Sequence, residues 1–587
     1  MDIYSVFQIC GGLAFFLFGM HIMSDNLEKV AGGKLQSILK KMTSNPVKSL
    51  VLGAVITIAI QSSSALTVML VGLVNSGIME LGQTVGVIMG SNVGTTLTAW
   101  ILSLSGIESK NIFISLLKPE NFSPIIALIG VILIMAGKSE KKKDVGTILT
   151  GFAILMAGMQ AMSGAVSPLA DMPQFTHILT AFRNPLIGVL VGALFTAVIQ
   201  SSAASVGVLQ ALSMTGQISY GMAVPIIMGQ NIGTCVTSLL TSIGVNKNAK
   251  RVSVIHISFN LVGTAVGMIV YYVLEYAVGL AIFDESITPV AIAIFHSIFN
   301  VATTVILLPF SKVLVRFAET VIKDKDDDAV VKEVLLDERL LLSPGLAVRE
   351  CREKTIEMAH LAKKCFKQAL SLFENYDEEK AAEIYDMEER LDYLEDELDT
   401  FLIHLSGKNV SDYDSNEISE MLHAINDFER IGDHAINTEK LAKNMKTNHK
   451  KFSAKAQEEL QVLNQALSEI LNITVECFEK EDVKLAFRVE PLEQVIDDLT
   501  KEIKNRHIER LQTGECDGEL GIFMTDLLTN CERVSDHCSN VGVCIIQTRN
   551  SSFETHGYLN ELKSGREPAF VGEFAMFEEK YNLELDK

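Results

Sequence analysis

Apolar residues run in blocks of membrane-spanning length through the first half of the chain, near residues 4–23, 81–103, 120–137, 145–163, 218–243, 252–274 and 287–310. About 20 apolar residues rising ~1.5 Å each cover a hydrocarbon core roughly 30 Å thick, so each block predicts a transmembrane helix. Two further blocks, Pro46 to about Ser76 and Pro185 to about Thr215, are longer and carry a polar cluster at their centre. Each is either one over-long tilted helix or two half-helices folded into a re-entrant hairpin. Asn45-Pro46 and Asn184-Pro185 at the entrances fit a cap followed by a first-turn proline, and the central serines fit a fresh helix start. The hairpin is the better reading.

Beyond Lys323 the pattern changes to heptad-like apolar spacing in charged surroundings. It predicts about six helices near 344–374, 377–405, 415–446, 453–478, 481–510 and 518–547, which group naturally as two three-helix bundles. The expected division is 1–320 in the membrane (repeats of about 1–137 and 144–320), a charged linker 321–340, helices over 341–550 and a tail 551–587. The tail carries an amphipathic pattern around Phe574 and Phe577.

Both halves are internally duplicated. At a constant offset of 139 residues, Thr57 recurs as Thr196, Gln61-Ser62-Ser63 as Gln200-Ser201-Ser202, and Gly90, Asn92, Gly94 and Thr95 as Gly229, Asn231, Gly233 and Thr234. Upstream, Gly12 and Gly19 return as Gly151 and Gly158. In the second half Glu429-Arg430-Ile431-Gly432-Asp433-His434 returns 103 residues later as Glu532-Arg533-Val534-Ser535-Asp536-His537, and Glu388 with Asp392 answers Glu493 with Asp497.

Charge gives the halves opposite characters. Residues 1–323 hold 18 Lys+Arg against 13 Asp+Glu and the remainder 32 against 58, so net +5 joins net −26 in a chain of net −21. An acidic half is repelled by nucleic acid and by anionic lipid and favours metal cations. If both motif blocks are re-entrant, the Lys34–Lys48 region, Lys138–Lys143, Lys247–Arg251 and Lys312–Arg316 share one side. The other side receives Lys110, Lys118 and Arg183 with Asp171, Asp284 and Glu285. The positive-inside rule then predicts an N-terminus outside and the acidic half in the cytoplasm. The two repeats become inverted relative to each other, the arrangement of secondary transporters whose sites lie where broken helices meet. Nine cysteines without a CxxC pair predict a reducing compartment and no disulfide framework. The start, Met1-Asp2-Ile3, lacks a basic leader, so the first apolar block reads as a retained span.

The chemistry follows from what the motif blocks lack. Asn184 to Asn246 contains no charged residue and Ser49 to Ile107 contains Glu80 alone. A polar site there must work with hydroxyls, amides and backbone. The serines at a helix start present N–H groups and hydroxyls suited to an anion: Ser62, Ser63, Ser64, Ser201 and Ser202. Thr57 and Gln61, with Thr196 and Gln200, stand one turn apart where the first half-helix ends, and its carbonyls suit a hard cation. Gly90–Thr95 and Gly229–Thr234 predict glycine-permitted unwinding that offers Asn92, Thr95, Asn231 and Thr234 as further cation ligands. Burying a phosphate-like dianion without Arg or Lys requires an accompanying cation, and the absence of a nearby Asp or Glu favours sodium over a proton. His256-Ile-Ser-Phe-Asn260 and His296-Ser-Ile-Phe-Asn300 share an HxxFN pattern that predicts packing or interhelical hydrogen bonding. In the acidic half each ExxxD pair sets two carboxylates on one helix face, which can hold a multivalent cation: Glu388, Asp392, Glu429, Asp433, Glu493, Asp497, Glu532 and Asp536.

The paired Gln-Ser-Ser(-Ser) motifs and GxNxGT segments resemble the type II sodium/phosphate cotransporter family over essentially residues 1–320. The resemblance implies that Gln61, Ser62, Ser63 and Ser64 of one hairpin and Gln200, Ser201 and Ser202 of the other form the phosphate and sodium sites. Ala203 replaces the last serine of the second copy. Residues 341–550 resemble the PhoU family of phosphate-signalling proteins, which implies that the carboxylates hold divalent or iron-type metal clusters. The expected fold is all-α: a polytopic membrane transporter with two inverted repeats and re-entrant helical hairpins, joined to a cytoplasmic PhoU-like pair of three-helix bundles. The expected function is sodium-coupled symport of inorganic phosphate across the inner or plasma membrane, by a transporter and not an enzyme. Its partners are phosphate, sodium, the bilayer and, as an open alternative, further copies of the chain. The rival readings are an intramembrane serine hydrolase using His256 or His296, and a phosphate sensor with a membrane anchor.

Overall fold

The computed structural model describes residues 3–31, 45–104, 119–166, 183–323, 335–408, 410–549 and 568–583. Lys34, Lys40, Lys41, Lys110, Lys118 and Asp171, used above to assign sides, lie outside the described residues, as does the tail segment 551–567. The chain is all-α and divides into two compact units, Met1–Leu346 and Ala347–Lys587.

Among the described residues of the first unit, six helices are long and apolar enough to cross a membrane: Phe7–Leu27, Leu81–Ser103, Glu140–Ala165, Tyr220–Thr241, Lys247–Glu275 and Pro289–Val321. The block expected at 120–137 is the shorter helix Pro119–Ala136. Both motif blocks are broken in two, as Pro46–Ile60 with Ser63–Asn75 and Pro185–Ile199 with Ser202–Ser213. The side chains of Asn45 and Asn184 accept from Val47 N and Leu186 N at 2.9 and 3.0 Å, and a proline opens each leading half-helix. Proline costs nothing there, because the N–H it lacks would have had no partner in the first turn.

One expectation fails. The segments Gly90–Thr95 and Gly229–Thr234 do not unwind; they lie within the continuous helices Leu81–Ser103 and Tyr220–Thr241. Their glycines serve helix crossing instead. A Cβ on Gly94 would stand 2.6 Å from the Ala54 carbonyl oxygen, and one on Gly233 would stand 2.5 Å from that of Ala193 and 2.6 Å from Thr196 Cβ. Each long helix thus lies against the backbone of its repeat's leading half-helix, and the intact i→i−4 ladder is cheaper in a membrane than an unwound backbone. Gly12 and Gly158 do the same for the first helices of the two repeats. A Cβ on Gly12 would meet Gly158 O at 2.9 Å, and one on Gly158 would meet Gly12 O at 2.7 Å.

The end of the expected linker is folded. Leu335, Leu336 and Asp337 are buried, and a short 3₁₀ turn follows at Glu338–Leu342. Asn75 Nδ2 donates to Asp337 Oδ2 at 2.5 Å, and Arg339 reaches both Asp337 and the Ile243 carbonyl, at 3.0 and 2.8 Å. Leu340 lies 3.3 Å from where a Cβ on Gly72 would be. This strap ties the end of the first trailing half-helix to the loop after Tyr220–Thr241.

The second unit holds the six expected helices as Pro344–Ser371, Glu378–Ser406, Asp412–Thr447, Ala454–Lys480, Val489–Gln512 and Gly518–Arg549. The fifth begins later than its periodicity implied. Glu481 takes a left-handed conformation, Asp482 caps a single turn at Val483–Ala486, and Pro491 then falls in the first turn of the helix that follows. The tail forms the helix Pro568–Lys580, with Phe577 fully buried under Arg488 at 5.4 Å and Glu573 ion-paired to Arg488 at 3.0 Å. No disulfide forms; all nine cysteines are free.

Candidate functional site

Each leading half-helix ends on a glutamine in the left-handed region, Gln61 at φ 54° and Gln200 at φ 60°. A non-glycine residue there costs about 1 kcal/mol or more, which the surroundings must impose. The left-handed residue stops the helix and turns the chain, and the serine after it caps the next one. Ser62 Oγ accepts from Ala65 N at 3.1 Å and Ser201 Oγ from Ala204 N at 3.2 Å. Both serines remain able to donate their O–H, and the first N–H groups of both trailing half-helices precede any intrahelical partner. Each break therefore presents donors at a helix start and acceptors at a helix end.

The two breaks adjoin. Ser64 Oγ donates to the Gln200 carbonyl at 3.4 Å, joining the first copy to the second across 136 residues of chain. Gln210 of the second trailing half-helix is anchored by its Nε2 to Ala99 O and Pro289 O, each at 3.0 Å. Ser24 Oγ donates to Ile60 O at 2.6 Å, occupying one carbonyl at the first helix end.

The asparagines of the two long helices are held alike. Asn92 Nδ2 donates to Asn260 Oδ1 at 2.8 Å and Asn231 Nδ2 to Asn300 Oδ1 at 2.7 Å. Asn260 and Asn300 are in turn fixed to the carbonyls of His256 and His296 at 3.0 and 2.8 Å. The HxxFN pattern is thus a pair of clasps, one for each repeat. Thr95 and Thr234 spend their hydroxyls on helix carbonyls, Ser91 O at 3.1 Å and Asn231 O at 2.6 Å. Among the described residues neither histidine bonds a motif serine; His256 Nδ1 meets Ser238 Oγ at 3.1 Å.

In the second unit the carboxylates gather as two sets. Oxygen atoms of Glu493, Asp497 and Asp536 come within 4.8 Å of one another. Burial first and Glu532 second raise the Asp497 carboxyl above its ordinary value. In the other set, burial and then Asp433 push Glu429 up to about 7, and burial, Asp392 and Asp433 raise Glu388. Like charges that raise one another's proton affinity form a donor set that a hard divalent or iron-type cation would neutralise. Glu395, which acts on Glu429, was not anticipated. Nor were Asp427 and Asn530, which stand at the same 103-residue offset. Asp427 holds His537 Nδ1 and Asn530 holds His434 Nδ1, each at 2.8 Å, so each repeat orients the other's histidine.

Comparison with known proteins follows the same division. Residues 15–164 and 156–288 each match the family model described as Na+/Pi-cotransporter, and 355–441 and 461–545 each match the PhoU domain. The Escherichia coli (strain K12) protein YjbB, named for inorganic phosphate export, is 22% identical over 548 residues, covering 92% of this chain and 98% of its own. The Bacillus subtilis protein YqeW is 28% identical over 317 residues, 53% of this chain and 97% of its own. Rat sodium-dependent phosphate transport protein 2A is 38% identical over 97 residues, 16% of this chain and 15% of its own. Among solved structures, PhoU from Pseudomonas aeruginosa aligns at 17% identity and TM-score 0.34, covering 35% of this chain and 98% of that one.

Proposed function

Since the chain belongs to the Na+/Pi-cotransporter family and carries C-terminal PhoU domains, we propose that it moves inorganic phosphate across the cell membrane by symport with sodium, under the control of its cytoplasmic helical half. The observation that carries this reading is the meeting of two matched breaks, each a left-handed glutamine followed by a serine-capped helix start, bridged by Ser64 and Gln200. Phosphate lies between the two helix starts, taking hydrogen bonds from Ser62, Ser63, Ser64, Ser201, Ser202 and the free N–H groups. Sodium lies at the helix ends, on oxygens of Thr57, Gln61, Asn92, Thr95 and their repeat mates Thr196, Gln200, Asn231 and Thr234. The cations supply the charge that no Arg or Lys supplies between Ser49 and Ile107 or between Asn184 and Asn246.

In this reading the repeats are inverted, the half-helix pairs are re-entrant, the N-terminus is outside and the second unit is cytoplasmic. Each sodium moving down about 100 mV releases on the order of 2.3 kcal/mol, and the summed gradients decide the direction of net flux. A relative named for phosphate export and one named for sodium-dependent phosphate transport are both compatible with a flux whose direction the gradients decide. In the cytoplasmic half, Glu388, Asp392, Glu429 and Asp433, and Glu493, Asp497, Glu532 and Asp536, would hold metal ions that neutralise the two carboxylate sets. Radiolabelled phosphate uptake into proteoliposomes, with and without an inward sodium gradient, tests the proposal. Sodium-stimulated uptake is expected, and an equal rate in both conditions would overturn it.

A further inference from the structure

The two repeats of the second unit differ at one end of their helix pairs. With Glu388 in register with Glu493, Leu402 and Leu405 of the second helix answer to His507 and Arg510 of the fifth. With Glu429 in register with Glu532, Ile418 of the third helix answers to Gly521 of the sixth. Leu402, Leu405 and Ile418 are all core residues, buried to 3% exposure or less. Their mates are a buried imidazole, a buried guanidinium and no side chain at all, and a cavity of about 440 Å³ opens there between Val489–Gln512 and Gly518–Arg549.

The exchange weakens the core, and only part of the loss is offset. Arg510 is paired, its Nη1 and Nη2 donating to Glu459 at 2.9 and 2.7 Å. His507 is not. It is 4% exposed, its Nδ1 has no hydrogen-bond partner, and its Nε2 reaches Cys516 Sγ at a weak 4.0 Å. A buried polar atom left unpaired costs about 1–3 kcal/mol. Burial and then Arg510 hold the imidazole below its ordinary pKa, so near pH 7 it is neutral, with one N–H to donate. Gly521 lies inside a helix and has no positive φ, so its backbone does not require glycine, which costs about 0.5–1 kcal/mol there against alanine. The nearest atom to a Cβ at this position would be the flexible end of Leu511, at 3.0 Å, and no backbone crosses closely. The glycine serves to keep the space open.

The walls divide by chemistry. Lys504 is exposed, has no carboxylate partner among the described residues, and stands one turn before His507 on the same helix face. Ile508 and Ile522, 43% and 62% exposed, line the cavity from opposite helices, with Leu511 beside them. Asp526 adds an acceptor. An ammonium and an imidazole N–H suit an anionic group, apolar walls on two helices suit a flat ring, and a carboxylate suits sugar hydroxyls. The volume is that of an organic ligand and far exceeds an inorganic ion's. We propose that this cavity binds a nucleoside monophosphate, with its phosphate on Lys504 and His507, its ribose hydroxyls on Asp526 and its base against Ile508 and Ile522. The first repeat has no such site, because Leu402, Leu405 and Ile418 occupy the place. The inference stands independently of how the membrane half moves phosphate.

Equilibrium dialysis of the full-length protein in detergent against radiolabelled adenosine monophosphate tests it. The wild type should bind saturably, and equimolar inorganic phosphate should not displace the nucleotide. Lys504→Gln, a change on an exposed side chain, should weaken binding at least about ten-fold. Gly521→Ile and His507→Leu, which restore the first-repeat residues, should abolish binding while holding or raising the melting temperature, since each fills space or removes an unpaired polar atom. Should either core variant fail to fold, Lys504→Gln carries the test. Wild-type affinity in Lys504→Gln or in folded Gly521→Ile, or no binding of the nucleotide by the wild type, overturns the inference. Full displacement by equimolar inorganic phosphate overturns it as well, because the base and ribose would then add nothing.

Discussion

The Ser64 hydroxyl lies 3.4 Å from the carbonyl oxygen of Gln200, and through that pair the break of one repeat touches the break of the other. No mirror-image bond exists, because the residue at the Ser64 position of the second repeat is Ala203. The bridge is long and therefore weak, so its loss should hardly affect folding. Ser64→Ala is expected to lower phosphate affinity about ten-fold, the usual scale for losing one hydrogen bond to a charged ligand, with thermal stability within about 1 kcal/mol. Ala203→Ser, which restores the first-copy residue at a helix start, should fold and transport. Uptake kinetics and melting curves of the two variants check both.

Gln200 offers a separation of stability from function. Its backbone is left-handed, and among the described residues its side chain makes no hydrogen bond, unlike Gln61, whose amide meets Ile58 O and Thr98 Oγ1 at 2.6 and 2.8 Å. Gln200→Gly should therefore stabilise the fold by about 1 kcal/mol, since glycine takes this conformation without strain. The same change should abolish sodium-driven uptake by removing a ligand oxygen, and Gln200→Ala should abolish it with no stabilisation. A raised melting temperature together with wild-type uptake in the glycine variant would refute the role given to this side chain.

A third expectation comes from the close crossing of the long helices on the leading half-helices. Gly233→Ala places a methyl group 2.5 Å from the Ala193 carbonyl oxygen, and neither backbone can yield cheaply. The cost expected from overpacking is about 1–3 kcal/mol, read as a lower melting temperature in detergent. Gly82→Ala, where a Cβ meets open space, is the control and should be neutral or slightly stabilising.

Much of this architecture was legible because duplication turns weak local signals into strong ones. A single serine cluster in an apolar block is ordinary helix packing; the same cluster at a fixed offset, each copy behind Asn-Pro, marks a paired break, and both breaks are present at Gln61 and Gln200. The glycines of Gly90–Thr95 were misread for a physical reason. Glycine both permits unwinding and permits close helix approach, and local sequence does not say whether a second backbone lies opposite. Here Leu50 and Val189 do, on the leading half-helices. The late start of the fifth helix of the second unit was signalled by Pro491, which heptad spacing overlooked. The His434–Asn530 and His537–Asp427 pairs stood at the repeat offset, yet which residues face each other across two bundles is a tertiary fact.

The carboxylate sets give the fourth expectation. Glu493, Asp497 and Asp536 repel one another, so a divalent cation that bridges them should raise the melting temperature of the full-length protein. Manganese added after chelation is the probe. Asp497→Asn should remove most of that increase while raising the metal-free melting temperature, because one source of repulsion is gone. A variant that responds to manganese as the wild type does would exclude Asp497 as a ligand.

The coupling of phosphate to sodium at the joined breaks is tested most directly by reversing the sodium gradient across one preparation of proteoliposomes loaded with equal phosphate on both sides. Net phosphate movement, followed by isotope exchange-corrected flux at fixed membrane potential, should point inward under an inward sodium gradient and outward under an outward one. It should vanish in both Gln61→Ala and Gln200→Ala. Net phosphate flux that ignores the sign of the sodium gradient, or that persists at the wild-type rate in both variants, would contradict the account.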